Sequence, residues 1–159
     1  MSDRKQPADA LIAIESSRFG HVEIPPAAVV AFPDGLIGLG GLRYTLIVTD
    51  PNSPFVWLQS VDDGGLALPI TNPVQFFPDY RLELSETEAR RLEIDEQTPI
   101  DIYVTVRSAP ALEDFVANLR APIVISAGTG HQVINQDPSS PLRAPLFPQA
   151  GDLTRSSAA

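Results

Sequence analysis

The chain has 159 residues and no cysteine, enough for one domain with its own hydrophobic core, and with no means of forming disulfides or thiolate metal sites. A formal net charge of −9 disfavours direct binding to a phosphate backbone. No apolar run reaches the ~20 residues of a membrane-spanning helix, and the opening MSDRKQPADALIAIES lacks the apolar stretch of a secretory signal, so a soluble, cytoplasmic protein is expected.

Residues 1–10 are polar and read as a flexible N-terminus. LIAIES (Leu11–Ser16) and VEI (Val22–Ile24) alternate in the manner of strands across the link Phe19-Gly20-His21, which predicts a hairpin. VVAF (Val29–Phe32) ends at the turn Pro33-Asp34-Gly35. TLIVT (Thr45–Thr49) and FVWLQSV (Phe55–Val61) flank DPNSP, and LALPIT (Leu66–Thr71) follows the turn Asp62-Asp63-Gly64-Gly65. In LSETEARRLEI, Ser85 and Glu88 form a capping box, which predicts a short helix from Glu86 to Leu92. IDIYVTVRS (Ile100–Ser108) has the strictest alternation. ALEDFVANL (Ala111–Leu119) is a second helical candidate, and PIVIS (Pro122–Ser126) and HQVINQ (His131–Gln136) form a final hairpin around Gly128-Thr129-Gly130. The expected fold is all-β: a small β-barrel-like arrangement of short antiparallel strands with one or two short helices, over residues 11–146. From Pro138 the chain is rich in proline and small residues, so a loosely docked or disordered tail is expected, with 147–159 lying outside the domain as a disordered tail.

Charge is unevenly spread. Between Asp50 and Asp101 there are eleven acidic and three basic residues, against nine and eight in the rest of the chain. A solvated acidic face and a docking face for a basic partner both fit this pattern. Catalytic signatures are thin: the sequence has no Gly-x-Ser-x-Gly, Walker loop, His-x-x-x-His or Gly-x-Gly-x-x-Gly. His21 and His131 each sit beside a turn with no evident partner. Asp62-Asp63 has the composition of an ordinary hairpin turn, and Asp50, Asn52 and Ser53 fall short of the ligands an oxygen-coordinated metal needs. No cofactor or metal is expected.

PVQFFPDY (Pro73–Tyr80) places three aromatic rings between two prolines. Phe76 and Phe77 suit a plug at one end of a barrel. Asp79 and Tyr80 carry polar tips that need water or a partner, and rigid aromatics beside carboxylates suit a recognition surface.

The phrases SPFVWLQSVDD, LALPITNPVQFFPDY, IDIYVTV, ANLRAPIVI and HQVIN, in that order, together with FGHVEIP, resemble the FliW family of bacterial flagellar assembly factors over about Ile14 to Leu146. The resemblance implies a small β-barrel without catalytic activity. It implies binding to CsrA, a post-transcriptional regulator whose repression of flagellin translation such proteins relieve. It also implies binding to newly made flagellin, which competes with CsrA in a partner switch. Two positions depart from the family: Gly35-Leu36-Ile37-Gly38-Leu39 lacks a common Pro and aromatic, and Arg81 stands where an acidic residue is frequent. The candidate protein-binding residues are Asp62, Asp63, Asn72, Val74, Phe76, Asp79, Tyr80, Arg81, Glu83 and Asn118. A barrel holding a small ligand near Phe76 and Phe77 and a carboxylate hydrolase using Asp62, Asp63 or Asp79 are the alternatives.

Overall fold

A computed structural model describes residues 10–39 and 41–147. The expected N-terminal flexibility of residues 1–9 and the tail from 148 lie outside the described residues. The chain opens with β1 (Ile12–Ser16) and β2 (Gly20–Ile24), an antiparallel hairpin in which Glu15 faces His21. Alternation buries Ile14, Ser16 and Ile24, and Gly20 adopts φ +75°, which lets the chain reverse.

Seven strands then close a barrel. They are β3 (Val30–Ala31), β4 (Arg43–Ile47), β5 (Phe55–Ser60), β6 (Ala67–Thr71), β7 (Asp101–Arg107), β9 (Ile123–Ser126) and β10 (Thr129–Gln132). Neighbours pair in the order β3–β4–β5–β6–β7–β9–β10, and β10 returns to β3. A closed ring of seven strands cannot alternate direction throughout. One junction must be parallel, and it falls between β10 and β3, where Thr129 sits beside Ala31. The other pairings are antiparallel, as the sequence predicts. The last hairpin turns at Ala127-Gly128, both with positive φ, one residue earlier than expected. This is the geometry that matches the right-handed twist of the flanking strands.

The barrel interior is filled by Val30, Phe32, Leu36, Tyr44, Leu58, Ile70, Ile123 and Ile125. Phe32 and Tyr44 meet edge to face at 5.4 Å. Gly130 is glycine because a Cβ there would overlap the Phe32 ring.

A second layer packs outside β7. β8 (Val116–Ala117) pairs with β7, and β11 (Ala144–Pro145) pairs with β8. The helix anticipated over 111–119 is instead a 3-10 turn, Leu112–Asp114, followed by β8. Burial recurs at Ala117 and Leu119, a period of two that a strand satisfies and a helix does not. Val104, Val106, Ala117, Leu119, Ala144 and Leu146 form this second core, flanked by Phe55, Phe76, Phe77, Tyr80, Phe115 and Phe147. The expectation of a loose chain from Pro138 is therefore wrong as far as Phe147. Ser140, Ala144 and Leu146 are buried, and backbone bonds Leu119 N–H to Pro141 O and Leu146 N–H to Phe115 O fasten the segment. A few well-placed apolar groups suffice when they enter an existing aromatic cluster.

The one α-helix among the described residues, α1 (Glu86–Arg91), starts where the capping box predicts, with Ser85 Oγ accepting from Glu88 N–H at 3.1 Å. The β1–β2 hairpin clamps onto β5. Ser16 Oγ donates to the wholly buried Gln59 at 2.8 Å, Ser17 N–H donates to Gly64 O at 2.9 Å, and Arg18 lies 4.2 Å over the Trp57 ring. A Cβ at Gly64 would overlap the Glu15 carbonyl oxygen.

Candidate protein-binding surface

The stretch Asn72–Tyr80 is two successive turns. Asn72 Oδ1 accepts from Val74 N–H at 3.0 Å and starts a 3-10 turn over Pro73–Gln75. Proline suits that first position because its missing N–H has no partner there in any case. Phe77 N–H donates to Pro73 O at 2.7 Å, and Tyr80 N–H donates to Phe77 O at 2.9 Å. The turns throw Phe76 onto Phe55, stacked at 5.6 Å, and edge-on to Phe147 at 5.5 Å. Phe76 and Phe77 are half-buried. They cover the second core outside β7 and do not plug the barrel. Val74 and Asp79 remain exposed.

Tyr80 turns its hydroxyl inward. It donates to Leu119 O at 3.4 Å and accepts from Asn135 Nδ2 at 3.1 Å. Burial raises its pKa. Asn135, 2% exposed, is the hub of this region. Its Nδ2 also donates to Arg81 O (2.8 Å) and Ser140 Oγ (3.2 Å), while its Oδ1 accepts from the N–H groups of Glu83 (2.9 Å) and Asp137 (3.1 Å). Arg81 and Glu83 thus give their backbones to the interior and their side chains to solvent. Asn135 appears in the sequence only as the last letter of HQVIN. The available signal was an amide following Val133, which is buried, in a segment otherwise read as strand.

Asp62 and Asp63 occupy the β5–β6 turn. Ser60 Oγ accepts from both their N–H groups, at 3.2 and 2.9 Å. The Asp62 carboxylate pairs across strands with Arg43 at 2.5 Å, and that bond holds its pKa below the usual carboxylate value. Asp63 accepts from Gly65 N–H at 3.0 Å. The turn and the Asn72–Tyr80 stretch leave opposite ends of the β5–β6 hairpin, on the order of 17 Å apart at ~3.4 Å per residue.

The candidate residues therefore fall in several places. Asn72, Val74 and Tyr80 line one groove of about 370 Å³ together with Tyr103. Phe76, Asp79 and Tyr80 line an adjacent one of about 310 Å³. Asn118 faces a third, of about 690 Å³, and its Oδ1 braces its own loop by accepting from Arg120 and Ala121 N–H at 3.0 and 3.1 Å. Asp62 and Asp63 stand apart from all three.

Of the acidic residues from Asp50 to Asp101, Asp62, Glu86 and Glu88 are in ion pairs, with Arg43, Arg90 and Arg91. Asp50, Asp63, Asp79, Glu83, Glu93, Asp95, Glu96 and Asp101 are exposed and form no ion pair among the described residues. The acidic excess read from the sequence is thus displayed rather than neutralised internally.

Both histidines have carboxylate neighbours that the sequence did not reveal. His21 lies between Glu23 (3.0 Å) and Glu15 (2.5 Å), and hydrogen bonds to these two raise its pKa. His131 Nδ1 is 3.7 Å from Asp34. Neither alternative reading gains from the geometry. The barrel interior is filled by side chains, which leaves a ligand near Phe76 and Phe77 only the outer groove they line, and Asp79 lies too far from the Asp62-Asp63 turn to act as its partner in hydrolysis. Among the described residues no helix is long and apolar enough to cross a membrane.

Known proteins resemble this chain in sequence and, in one crystal structure, in fold. The family described as FliW protein matches residues 13–146. The flagellar assembly factor FliW of Alkaliphilus metalliredigens is 38% identical over 115 residues, 71% of each chain. That of Syntrophus aciditrophicus is 37% identical over 135 residues, 82% of this chain and 84% of the relative. A crystal structure of the flagellar assembly factor FliW superposes with a TM-score of 0.76 at 30% identity, covering 87% of this chain and 99% of that one. With a seven-strand barrel, an outer aromatic layer and this extent of similarity, the chain belongs to the FliW family.

Proposed function

We propose that this protein is a cytoplasmic, non-catalytic regulator of flagellum assembly that binds CsrA through its acidic surface and exchanges it for flagellin. The observation that carries this reading is the set of exposed carboxylates from Asp50 to Asp101 that have no cationic partner among the described residues. CsrA binds RNA and so presents basic surface. An acidic partner attracts it by the same field that attracts phosphates, and long-range charge acts chiefly on the association rate. Asp63 and Asp79 sit on turns and Glu83 in the irregular segment before α1, all three exposed, where their side chains serve packing least. The apolar side of a flagellin segment finds Val74, 51% exposed, beside the groove that Asn72 and Tyr80 line.

The test titrates purified CsrA and flagellin against the protein, each alone and each in the presence of the other. Reciprocity requires that each weaken the other by the same factor. Reversing Asp63, Asp79 and Glu83 together to Lys should slow CsrA association and flatten its salt dependence while the thermal transition stays in place. Simultaneous, independent binding of both partners, or a CsrA association rate indifferent to salt, defeats the reading.

A further inference from the structure

The 690 Å³ groove sits where the outer layer meets the barrel. Thr105–Arg107 of β7, Val116 of β8, the Leu36–Leu39 turn and the Leu142-Arg143 segment enclose it. It shares no lining residue with the grooves around Tyr80. Two features set it apart in this molecule. Its margin carries exposed apolar side chains, Ile37 (64%), Leu142 (60%) and Ile134 (46%). Its polar wall is cationic: three of the chain's eleven Lys and Arg residues, Arg107, Arg120 and Arg143, line it, and no Asp or Glu does. Among the described residues none of the three forms an ion pair. Arg120 is held in place by donating from Nε to Ser140 O at 3.0 Å, which leaves its terminal nitrogens for another acceptor. In a chain of net charge −9, arginines ordinarily find carboxylates. A concave surface whose three arginines form no ion pair with any carboxylate of the described residues, beside exposed Ile and Leu, is complementary to a ligand with the opposite charge and the same apolar character.

We infer that this groove is a docking site for a short peptide segment of a partner protein that presents apolar side chains interspersed with carboxylates. Leu142, Ile37 and Ile134 take the apolar side, and burial of such side chains supplies the bulk of the affinity. The guanidinium groups pair with the segment's carboxylates, a geometry that arginine forms bidentately and lysine does not. The site is opposite in sign to the acidic surface and does not depend on it, so a segment bound here leaves the CsrA-binding carboxylates unoccupied.

The experiment uses the full chain and three fluorescein-labelled peptides of about 12 residues, a length typical of groove-binding segments. One has Leu at every third or fourth position with Glu between, the second replaces every Glu with Lys, and the third replaces every Leu with Ser. Fluorescence anisotropy should show saturable binding of the first peptide alone. Arg107→Glu with Arg143→Glu, and separately Leu142→Asp, should each weaken it by about tenfold or more, as expected when charge pairs or an apolar anchor at a binding surface are reversed. All these side chains are exposed, so circular dichroism should show unaltered folding, and CsrA binding should be unchanged. Equal binding of the Lys peptide, binding of the Leu-free peptide, or retention of affinity in both variants overturns the inference. So does displacement of the first peptide by millimolar citrate alone, which would mark a small-anion site. A concentration-dependent dimer in sedimentation that Leu142→Asp dissociates would assign the groove to a second copy of this chain and overturn it as well.

Discussion

Removing the Asn135 side chain should loosen two segments at once. The amide makes five hydrogen-bonding contacts: its two N–H groups reach three acceptors, one hydrogen being shared, and its oxygen accepts two. Each is worth about 1 kcal/mol net, and a group left buried without a partner costs about 1–3 kcal/mol. The groups differ in what happens next. Arg81, Glu83 and Asp137 belong to residues with access to solvent, so water can replace much of what their backbones lose. Ser140 is 2% exposed, and its hydroxyl has no other partner among the described residues. The Tyr80 hydroxyl retains only the long contact to Leu119 O. Two poorly rehydrated hydroxyls plus partial losses at three backbone groups give roughly 2–4 kcal/mol for Asn135→Ala. For a chain of this size that lowers Tm by about 4–16 °C. Urea denaturation followed by far-UV circular dichroism, with calorimetry alongside, measures it. Asn135→Asp separates the two halves of the amide: it keeps both acceptor bonds, loses all three donor bonds and places a carboxylate in a buried site. Burial raises its folded-state pKa above the unfolded value near 3.9, so its deficit against wild type should be smallest below about pH 4, where only the lost donor bonds count, and grow as pH rises towards the folded-state pKa. A loss under 1 kcal/mol for Asn135→Ala, or a pH-independent deficit for Asn135→Asp, refutes the assignment of Asn135 as the buried hub.

Other substitutions probe separate parts of the fold. Gly64→Ala forces its Cβ against the Glu15 carbonyl oxygen, so the β1–β2 hairpin should detach first, with faster amide exchange at Ser17 and a rise in Trp57 exposure; unchanged exchange there would count against the clamp. Phe76→Ala removes a stacked and an edge-on aromatic contact from a half-buried ring, so chemical denaturation should show roughly 2–3 kcal/mol lost, below the range for a fully buried Phe. The flanking glutamates raise the pKa of His21 above the ordinary histidine value of about 6.5. A raised folded-state pKa means that the stabilisation is complete below about pH 6.5 and fades as pH rises through the folded-state value. The NMR titration of His21 should therefore shift downward in Glu15→Gln and Glu23→Gln, and a midpoint indifferent to both substitutions would contradict the pairing.

The long strands were readable because alternation in FVWLQS, LALPIT and IDIYVTV survives without tertiary help. β8 and β11 were not, since two-residue ladders carry no period, and Pro145 in β11 argues against a strand by composition alone. Gln59 shows the opposite effect. Leu58, Gln59 and Ser60 are all buried, because the β1–β2 hairpin covers the face that alternation assigns to water. The acidic stretch was legible as charge, but its pairing was not. Arg43 and Asp62 are joined by strand register, as Glu15 and His21 are, and register is set by the whole sheet. The Tyr80 phenol needs water or a polar partner, and the sequence does not show which, because that partner, Asn135, lies 55 residues away.

The parallel junction between β3 and β10 fixes when the fold can become complete. β3 is made early and has only one neighbour, β4, until Thr129 arrives beside Ala31. Closing a loop of about 100 residues carries an entropic penalty of roughly 4 kcal/mol beyond the short-loop constant, and contacts of that sequence separation form slowly. During synthesis the strands β3 to β6 therefore present an unsatisfied edge while the rest of the chain is still being translated. That interval ends only when the β9–β10 hairpin emerges and seals both sides of the gap, with β9 on β7 and β10 on β3.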